Sequence, residues 1–126
     1  MDKKVSFIGL GAMGGPMATN IIKKGIELFV YDIDENKKNK VVKEGGLPSN
    51  NILDAVKDSD IVITMLPATE QVKTVLLGEN GVINNLKKDS LILDMSTISP
   101  KGTDEIAKKC RDNELRFIDA PVGRLV

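Results

Sequence analysis

The sequence alternates short apolar runs rich in Val and Ile with longer polar segments, and this pattern most constrains the fold. Such alternation is typical of β-strands joined by crossover helices, which form a parallel sheet covered by helices on both faces. The run IVITML at residues 61–66 is apolar on both alternating faces, so we expect it near the centre of the sheet. We predict strands at Val5 to Ile8, Leu28 to Tyr31, Asp60 to Leu66, Leu91 to Met95 and Arg116 to Ile118, with a further one around Leu47.

Helix boundaries are indicated by prolines, glycines and capping residues. Pro16 is tolerated only in a first helical turn, so it predicts a helix that starts near residues 12–13 and ends at Gly25, a plausible left-handed cap. Ser99 followed by Pro100 is a second start signal. The buried stripe of that second helix is expected at Ile106, Ala107 and Cys110.

The segment from Glu35 to Lys43 is a weaker helix pattern, with only two apolar residues. Its lysines favour a solvated helix face over a phosphate-binding patch. The lysines concerned are Lys37, Lys38, Lys40 and Lys43.

Composition excludes several classes of function. The 126 residues, 41% of them hydrophobic, are enough for one domain with one core. Eighteen basic residues balance eighteen acidic ones, so no net field attracts nucleic acid or an anionic membrane. Without histidine and with a single cysteine, Cys110, we expect no metal site, no internal disulfide and an inert thiol. No signal peptide or long apolar stretch is evident, so a cytoplasmic location is expected.

Gly9, Gly11 and Gly14 form a G-x-G-x-x-G motif between the first predicted strand and the first predicted helix, where a Rossmann-type sheet holds a dinucleotide pyrophosphate. Gly9 would permit a tight turn, Gly11 would let the phosphates approach the backbone, and Gly14 would let the helix pack closely on the strand. A purely structural strand-to-helix turn is the alternative. The motif predicts a single α/β domain over residues 1–126, with a Rossmann-type doubly wound parallel sheet.

Asp32 lies at the end of the second predicted strand, eighteen residues after Gly14, close to the spacing of a ribose-binding acid. Its carboxylate would accept hydrogen bonds from an unmodified ribose and repel a 2′-phosphate, which favours NAD over NADP. Two alternatives remain at this point. Asp32 could instead cap the next helix, and a methyltransferase sheet also pairs a glycine turn with an acid after its second strand.

Five segments resemble, in order, the β-hydroxyacid dehydrogenase family, which includes 3-hydroxyisobutyrate and 6-phosphogluconate dehydrogenases. They are FIGLGAMGGPMATNI, VYDID, ITMLP, DMSTISP and IDAPVGR. LLGENGV and the ending PVGR are most similar to the sulfolactaldehyde reductase branch, which reduces a short aldehyde bearing a sulfonate. The resemblance spans essentially the whole chain and implies the NAD-binding domain of an oxidoreductase that interconverts a short β-hydroxyacid, or a sulfonate analogue, and its semialdehyde.

The resemblance also implies individual roles, with Asp32 on the ribose and Thr97 beside the nicotinamide. We expect the cofactor to be bound by Gly9, Leu10, Gly11, Ala12, Met13, Gly14, Asp32, Leu66, Pro67 and Thr97. Several of these follow predicted strands at their carboxyl ends, where open parallel sheets bind ligands. Ser96 is a candidate substrate residue, although for Ser96 and Thr97 a hydrogen bond to nearby loop backbone is the alternative.

Gly123 and Arg124 stand where the commoner family pattern, DAPVSGG, has a serine and a glycine against a substrate carboxylate. The guanidinium is a fork of donors suited to a carboxylate or sulfonate, so we predict that Arg124 binds the anionic end of the substrate. Gly123 is a further candidate substrate-binding residue. An exposed arginine near a chain end is the alternative.

The resemblance implies that the catalytic lysine of the family lies beyond Val126, in a helical domain that follows, so no catalytic residue is expected within residues 1–126. We expect these residues alone to bind NAD without turnover, and the full-length enzyme to be a homo-oligomer acting on a small anionic aldehyde or hydroxyacid. A non-catalytic NAD-binding or redox-sensing module is the alternative function.

Overall fold

The apolar runs form the strands of one sheet in a computed structural model that describes residues 3–121. The strands are β1 Val5–Ile8, β2 Leu28–Tyr31, β3 Leu47–Pro48, β4 Ile61–Thr64, β5 Leu91–Asp94 and β6 Arg116–Asp119. The helices are α1 Gly14–Lys23, α2 Glu35–Lys43, α3 Ile52–Val56, α4 Thr69–Leu77 and α5 Pro100–Asp112, with a 3₁₀ turn at Ile83–Asn85.

The sheet is parallel throughout, and its strand order is β3-β2-β1-β4-β5-β6. After β3 the chain crosses back over the sheet to place β4 beside β1, so the order reverses between these two central strands. This confirms the predicted doubly wound α/β fold of the Rossmann type. The strand predicted around Leu47 is only two residues long and lies at one edge.

Two apolar clusters cover opposite faces of the sheet. One joins Phe7 and Leu28 to Ala18 of α1 and Val41 of α2. The other joins Val62 and Ile92 of the sheet to buried residues of the last three helices: Ala55, Val56, Val72, Leu76, Ile106 and Cys110. Because apolar side chains are buried on both faces, β1 and β4 are nearly continuous apolar runs instead of alternating ones.

The predicted helix boundaries are confirmed. Helix α1 begins at Gly14, with Pro16 in its first turn, and Gly25 follows its end with a φ of +89°. Helix α5 begins at Pro100, and its cap Ser99 accepts a 3.0 Å hydrogen bond at Oγ from the amide of Gly102. Within the described residues, no helix is both long and apolar enough to cross a membrane.

The interpretation of the α2 lysines as wholly solvated was wrong for Lys38, which is only 6% exposed. Its Nζ donates to the carbonyl of Ser49 at 3.1 Å and pairs with Glu35 at 3.0 Å. Lys38 precedes Val41 by three residues, so the two share the helix face that packs on the sheet. A lysine stem is apolar enough to lie there if its ammonium finds acceptors.

We expect Lys38→Met to lower the free energy of unfolding by about 1–3 kcal/mol, because the Ser49 carbonyl loses a buried charged donor. Lys37→Met, on the exposed side of the same helix, is the control and should change it by less than about 0.5 kcal/mol. Denaturant unfolding followed by circular dichroism measures both values. Equal effects of the two substitutions would contradict the buried role of Lys38.

Candidate functional site

The loops that follow β1 and β4 separate at the point where the strand order reverses. The sheet ladder extends into both, since the amide of Gly9 donates to the Tyr31 carbonyl at 3.1 Å and the amide of Met65 donates to the Ile8 carbonyl at 3.0 Å. Beyond these bonds the β1 chain turns into α1 and the β4 chain turns toward α4. Open parallel sheets bind ligands in the crevice that forms at this position.

Gly9 makes the turn out of β1 with a φ of +101°, which side chains rarely adopt. A Cβ at this position would overlap the carbonyl oxygen of Met65 and lie 3.0 Å from the Leu66 side chain. Gly14, the first residue of α1, is constrained in the same way, because its Cβ would overlap the carbonyl oxygen of Gly9. These two glycines therefore let the start of the helix press directly against the strand-to-helix turn.

Gly11 is different, because protein packing does not explain its lack of a side chain. An ideal Cβ there meets nothing within 4 Å, and its φ lies outside the left-handed region. The missing side chain leaves open space in front of the turn. Bare backbone beside open space is what a bulky ligand group needs in order to approach closely.

The amino end of α1 also has the polarity to hold an anion. Among the described residues, no backbone carbonyl accepts a hydrogen bond from the amides of residues 11–14, whereas the amide of Gly15 donates to Gly11 at 2.9 Å. The first turn carries no acidic residue and no side-chain cap. Unpaired amides at a helix start carry partial positive charge and bind phosphates. These residues thus fit the pyrophosphate of a dinucleotide.

Asp32 connects the turn to the loop after β2. Its Oδ2 accepts from the amide of Leu10 at 2.7 Å, and its Oδ1 accepts from the amide of Asp34 at 2.8 Å. The cap of α2 is Asp34, whose Oδ1 accepts from Asn36 at 2.9 Å and from Lys37 at 3.3 Å. The helix-cap alternative for Asp32 is therefore wrong. Each Asp32 oxygen makes one hydrogen bond and keeps capacity to accept another.

Ile33, which sequence reasoning missed, follows this acid and is 91% exposed. Its only sequence signal is that an apolar residue directly follows Asp32, the acid after β2. Because this large aliphatic side chain is exposed beside Asp32, it can pack against the face of a flat, largely apolar ring.

A hydrogen-bond network joins the loops after β4 and β5. Ser96 is fully buried, and its Oγ accepts from the amide of Leu66 at 2.7 Å, which is the loop hydrogen bond considered as its alternative role. Asp94 Oδ1 accepts from Thr64 Oγ1 at 2.8 Å and from the Ser96 amide at 3.2 Å. Burial raises the pKa of Asp94 above its ordinary value, an effect that outweighs these hydrogen bonds. Thr97, by contrast, is exposed.

The structure thus brings most of the predicted cofactor residues to one edge of the sheet. The glycine turn, Asp32, Leu66 and Thr97 all follow strands at their carboxyl ends. Cys110 is buried in α5, and burial raises its pKa to about 11, as expected for an inert thiol.

Three positions named from the sequence fall outside the part of the chain that the structure describes. They are the proposed substrate residues Gly123 and Arg124, and Val126, beyond which the catalytic lysine of the family is expected. The substrate contacts of Gly123 and Arg124 and the location of the lysine past Val126 therefore stay predictions.

The family model for the NAD-binding domain of 6-phosphogluconate dehydrogenase matches residues 4–124. The chain belongs to this family. Among its relatives, 3-sulfolactaldehyde reductase of Escherichia coli (strain K12) is 42% identical over 120 residues, which are 95% of this chain and 40% of that protein. Mitochondrial 3-hydroxyisobutyrate dehydrogenase of Rattus norvegicus is 40% identical over 119 residues, which are 94% of this chain and 36% of the enzyme.

Among solved structures, 3-hydroxyisobutyrate dehydrogenase of Mycobacterium tuberculosis superposes with a TM-score of 0.89 at 29% identity. The match covers 98% of this chain and 42% of that one. This NAD-binding domain therefore spans about two fifths of the length of the relatives it matches. The family resemblance and the prediction of an NAD-binding domain are confirmed.

Paired glycine substitutions separate folding from binding in the NAD-binding domain. Gly14→Ala should cost about 1–3 kcal/mol of stability, because the new methyl group overlaps the backbone at Gly9. Gly11→Ala meets no protein atom and should change stability by less than about 0.5 kcal/mol. It should nevertheless weaken NAD binding at least about tenfold, or about 1.4 kcal/mol, because the methyl group takes space that we expect the pyrophosphate to occupy.

Thermal unfolding and calorimetric titration with NAD measure the two effects. Tight NAD binding by Gly11→Ala would contradict the placement of the pyrophosphate on the turn. Unchanged stability of Gly14→Ala would contradict the close helix-to-turn contact.

Proposed function

We propose that this NAD-binding domain is the cofactor half of an oxidoreductase that interconverts a short β-hydroxyacid, or its sulfonate analogue, and the corresponding semialdehyde. The observation that carries the proposal is the combination of open space at Gly11, unpaired amides at the start of α1 and Asp32 beside the turn. Family membership supports an enzyme over a non-catalytic NAD-binding or redox-sensing module.

The adenosine half of NAD would lie along the loops that follow β1 and β2. The pyrophosphate would rest on the amides of residues 11–14, with Leu10, Ala12 and Met13 along the turn. Asp32 would accept hydrogen bonds from the ribose hydroxyls, and the exposed Ile33 side chain would contact the adenine.

Asp32 favours NAD over NADP for an electrostatic reason. A 2′-phosphate would come within a few ångströms of a carboxylate that is already held by two backbone amides. Because those amides keep Asp32 in place, it cannot swing away without losing both bonds. The repulsion would therefore persist in the bound complex.

The nicotinamide half would extend past Leu66 and Pro67 toward Thr97, at the carboxyl ends of β4 and β5. When bound, the nicotinamide supplies or accepts the hydride. The protein contributes orientation at this end: the Leu66 amide is held by Ser96, while Pro67 and Thr97 are exposed. A direct contact of Ser96 with substrate stays a prediction, and its buried hydroxyl favours a supporting role.

The chain has no histidine, and its single tyrosine, Tyr31, lies in β2. Reduction of an aldehyde also needs a proton donor. We infer that a lysine in a further, helical domain beyond Val126 supplies it, so residues 1–126 alone should bind NAD without turnover. Arg124 would bind the carboxylate or sulfonate of the substrate, with Gly123 beside it.

Cofactor preference tests the role of Asp32. We expect the Kd for NADP to exceed the Kd for NAD. We expect Asp32→Asn to lower the ratio of the NADP Kd to the NAD Kd about tenfold, because the substitution removes about 1.4 kcal/mol of electrostatic repulsion. Asp34→Asn is the control, because this nearby acid caps α2, and it should leave the ratio unchanged. A wild-type preference for NADP, or equal ratios for wild type and Asp32→Asn, would contradict the assignment.

Substrate recognition is tested in the full-length enzyme with the variants Arg124→Ala and Arg111→Ala. The first should raise KM for an anionic aldehyde at least about tenfold, because a charge-assisted hydrogen bond is worth about 1.5–3 kcal/mol. The second removes an exposed arginine of α5 and serves as the control. Unchanged KM and kcat in Arg124→Ala would remove Arg124 from the substrate site.

A further inference from the structure

A buried carboxylate, Asp94, connects the two loops that flank the proposed nicotinamide end. Thr64 and Asp94 are register partners at the carboxyl ends of β4 and β5. The amide of Met95 donates to the Thr64 carbonyl at 2.8 Å, which closes the backbone ladder between these strands. Past this point the two chains separate into loops, and side chains join them.

Two side-chain links span the loops. The inner link runs from Thr64 Oγ1 to Asp94 Oδ1 at 2.8 Å, from the Ser96 amide to the same oxygen at 3.2 Å, and from the Leu66 amide to Ser96 Oγ at 2.7 Å. The outer link is a 3.0 Å bond from the Ser99 amide to Thr69 Oγ1. The exposed Pro67 and Thr97 lie between these two links.

The carboxyl group of Asp94 is buried with incomplete hydrogen bonding. It is 0% exposed, and its Oδ2 has no hydrogen-bond partner among the described residues. Burial raises its pKa, and the charge of Asp119 on the neighbouring strand adds to the effect. Burying a carboxyl group with half of its acceptors unused costs free energy. We therefore attribute the presence of Asp94 to the loop geometry that it imposes and not to a gain in the free energy of unfolding.

We propose that Asp94 is a positioning residue that sets the separation of the loops after β4 and β5 and thereby shapes the nicotinamide end of the cleft. This inference rests on the proposed function. Asp94 acts through its Oδ1, which holds Thr64 and the Ser96 backbone, and Ser96 in turn holds the backbone of Leu66. None of these hydrogen bonds involves the loops after β1 and β2, which would form the adenosine end.

The test compares two ligands that differ only at the nicotinamide. ADP-ribose shares the adenosine, pyrophosphate and second ribose of NAD but lacks the nicotinamide ring. We expect Thr64→Val, which removes the donor while keeping the side-chain shape, to raise the Kd for NAD about tenfold and the Kd for ADP-ribose less than about twofold. Asp94→Ala should give the same pattern, and calorimetric titration of the 126-residue chain measures both constants.

Conservative variants and a matched control distinguish a role of Asp94 in loop geometry from a general loss of structure. Thr64→Ser keeps the donor and Asp94→Asn keeps an acceptor at Oδ1, so both should retain most of the NAD affinity. Ser90→Ala is the control: it removes a buried 2.9 Å hydroxyl-to-carbonyl bond, to Ser59, at the opposite end of β5. It should leave the ratio of the two dissociation constants unchanged.

Equal losses for both ligands in Thr64→Val, or a loss in Asp94→Asn as large as in Asp94→Ala, would overturn the positioning role. Equal dissociation constants of the wild-type chain for NAD and ADP-ribose would also overturn it, because the loops would then not contact the nicotinamide. Failure of the wild-type chain to bind either ligand would instead refute the proposed function, so the two failures are distinguishable.

Discussion

The structure depends on a backbone-to-backbone contact that only glycine permits. The first residue of α1, Gly14, lies so close to the carbonyl of Gly9 that a methyl group would overlap it. This contact places the helix start directly behind the turn, where its unpaired amides are available to an anion. The 2.7 Å bond from the Leu10 amide to Asp32 holds the same turn from the side of β2. The proposed phosphate site and the proposed ribose acid are therefore joined by a direct hydrogen bond.

In the proposed binding mode, the domain attracts the pyrophosphate of NAD and rejects the 2′-phosphate of NADP at short range. Its equal numbers of acidic and basic residues supply no long-range field, so local groups must do both. Neutral amides provide the attraction, because their partial charges act only over the first helical turn. A single carboxylate at Asp32 provides the proposed rejection of a 2′-phosphate. With the two proposed tasks on separate groups, the domain would hold a diphosphate without binding anions in general.

The sequence predicted the bounds of some strands better than those of others. The bounds of β1 and β2 match the prediction. The central strand β4, predicted over Asp60 to Leu66, spans only Ile61–Thr64, because the apolar run continues into the loop after the strand. The wrong interpretation of Lys38 has a different origin. Composition marks a lysine as solvated, and only the packing of α2 shows that its ammonium reaches the Ser49 carbonyl. Short polar segments such as the one around Leu47 gave too little pattern to define their length.

The candidate site was predictable where a motif carries a local mechanism, as at the glycine turn and Asp32. The network around Asp94 was missed because Thr64 and Asp94 are thirty residues apart and become neighbours only through the register of β4 and β5. Ser96 illustrates the same limit. Its position after a strand predicts a place in the cleft, but its side chain is buried against Leu66.

The central claim is that phosphates bind the bare backbone of the glycine turn while Asp32 holds the neighbouring ribose. A titration of the ¹⁵N-labelled chain with NAD, followed by amide chemical shifts in NMR spectra, tests it most directly. The account predicts the largest shifts at the amides of residues 9–14 and at Asp32, Ile33 and Asp34. Shifts confined to surfaces away from this edge of the sheet, or no shifts at saturating NAD, would contradict it.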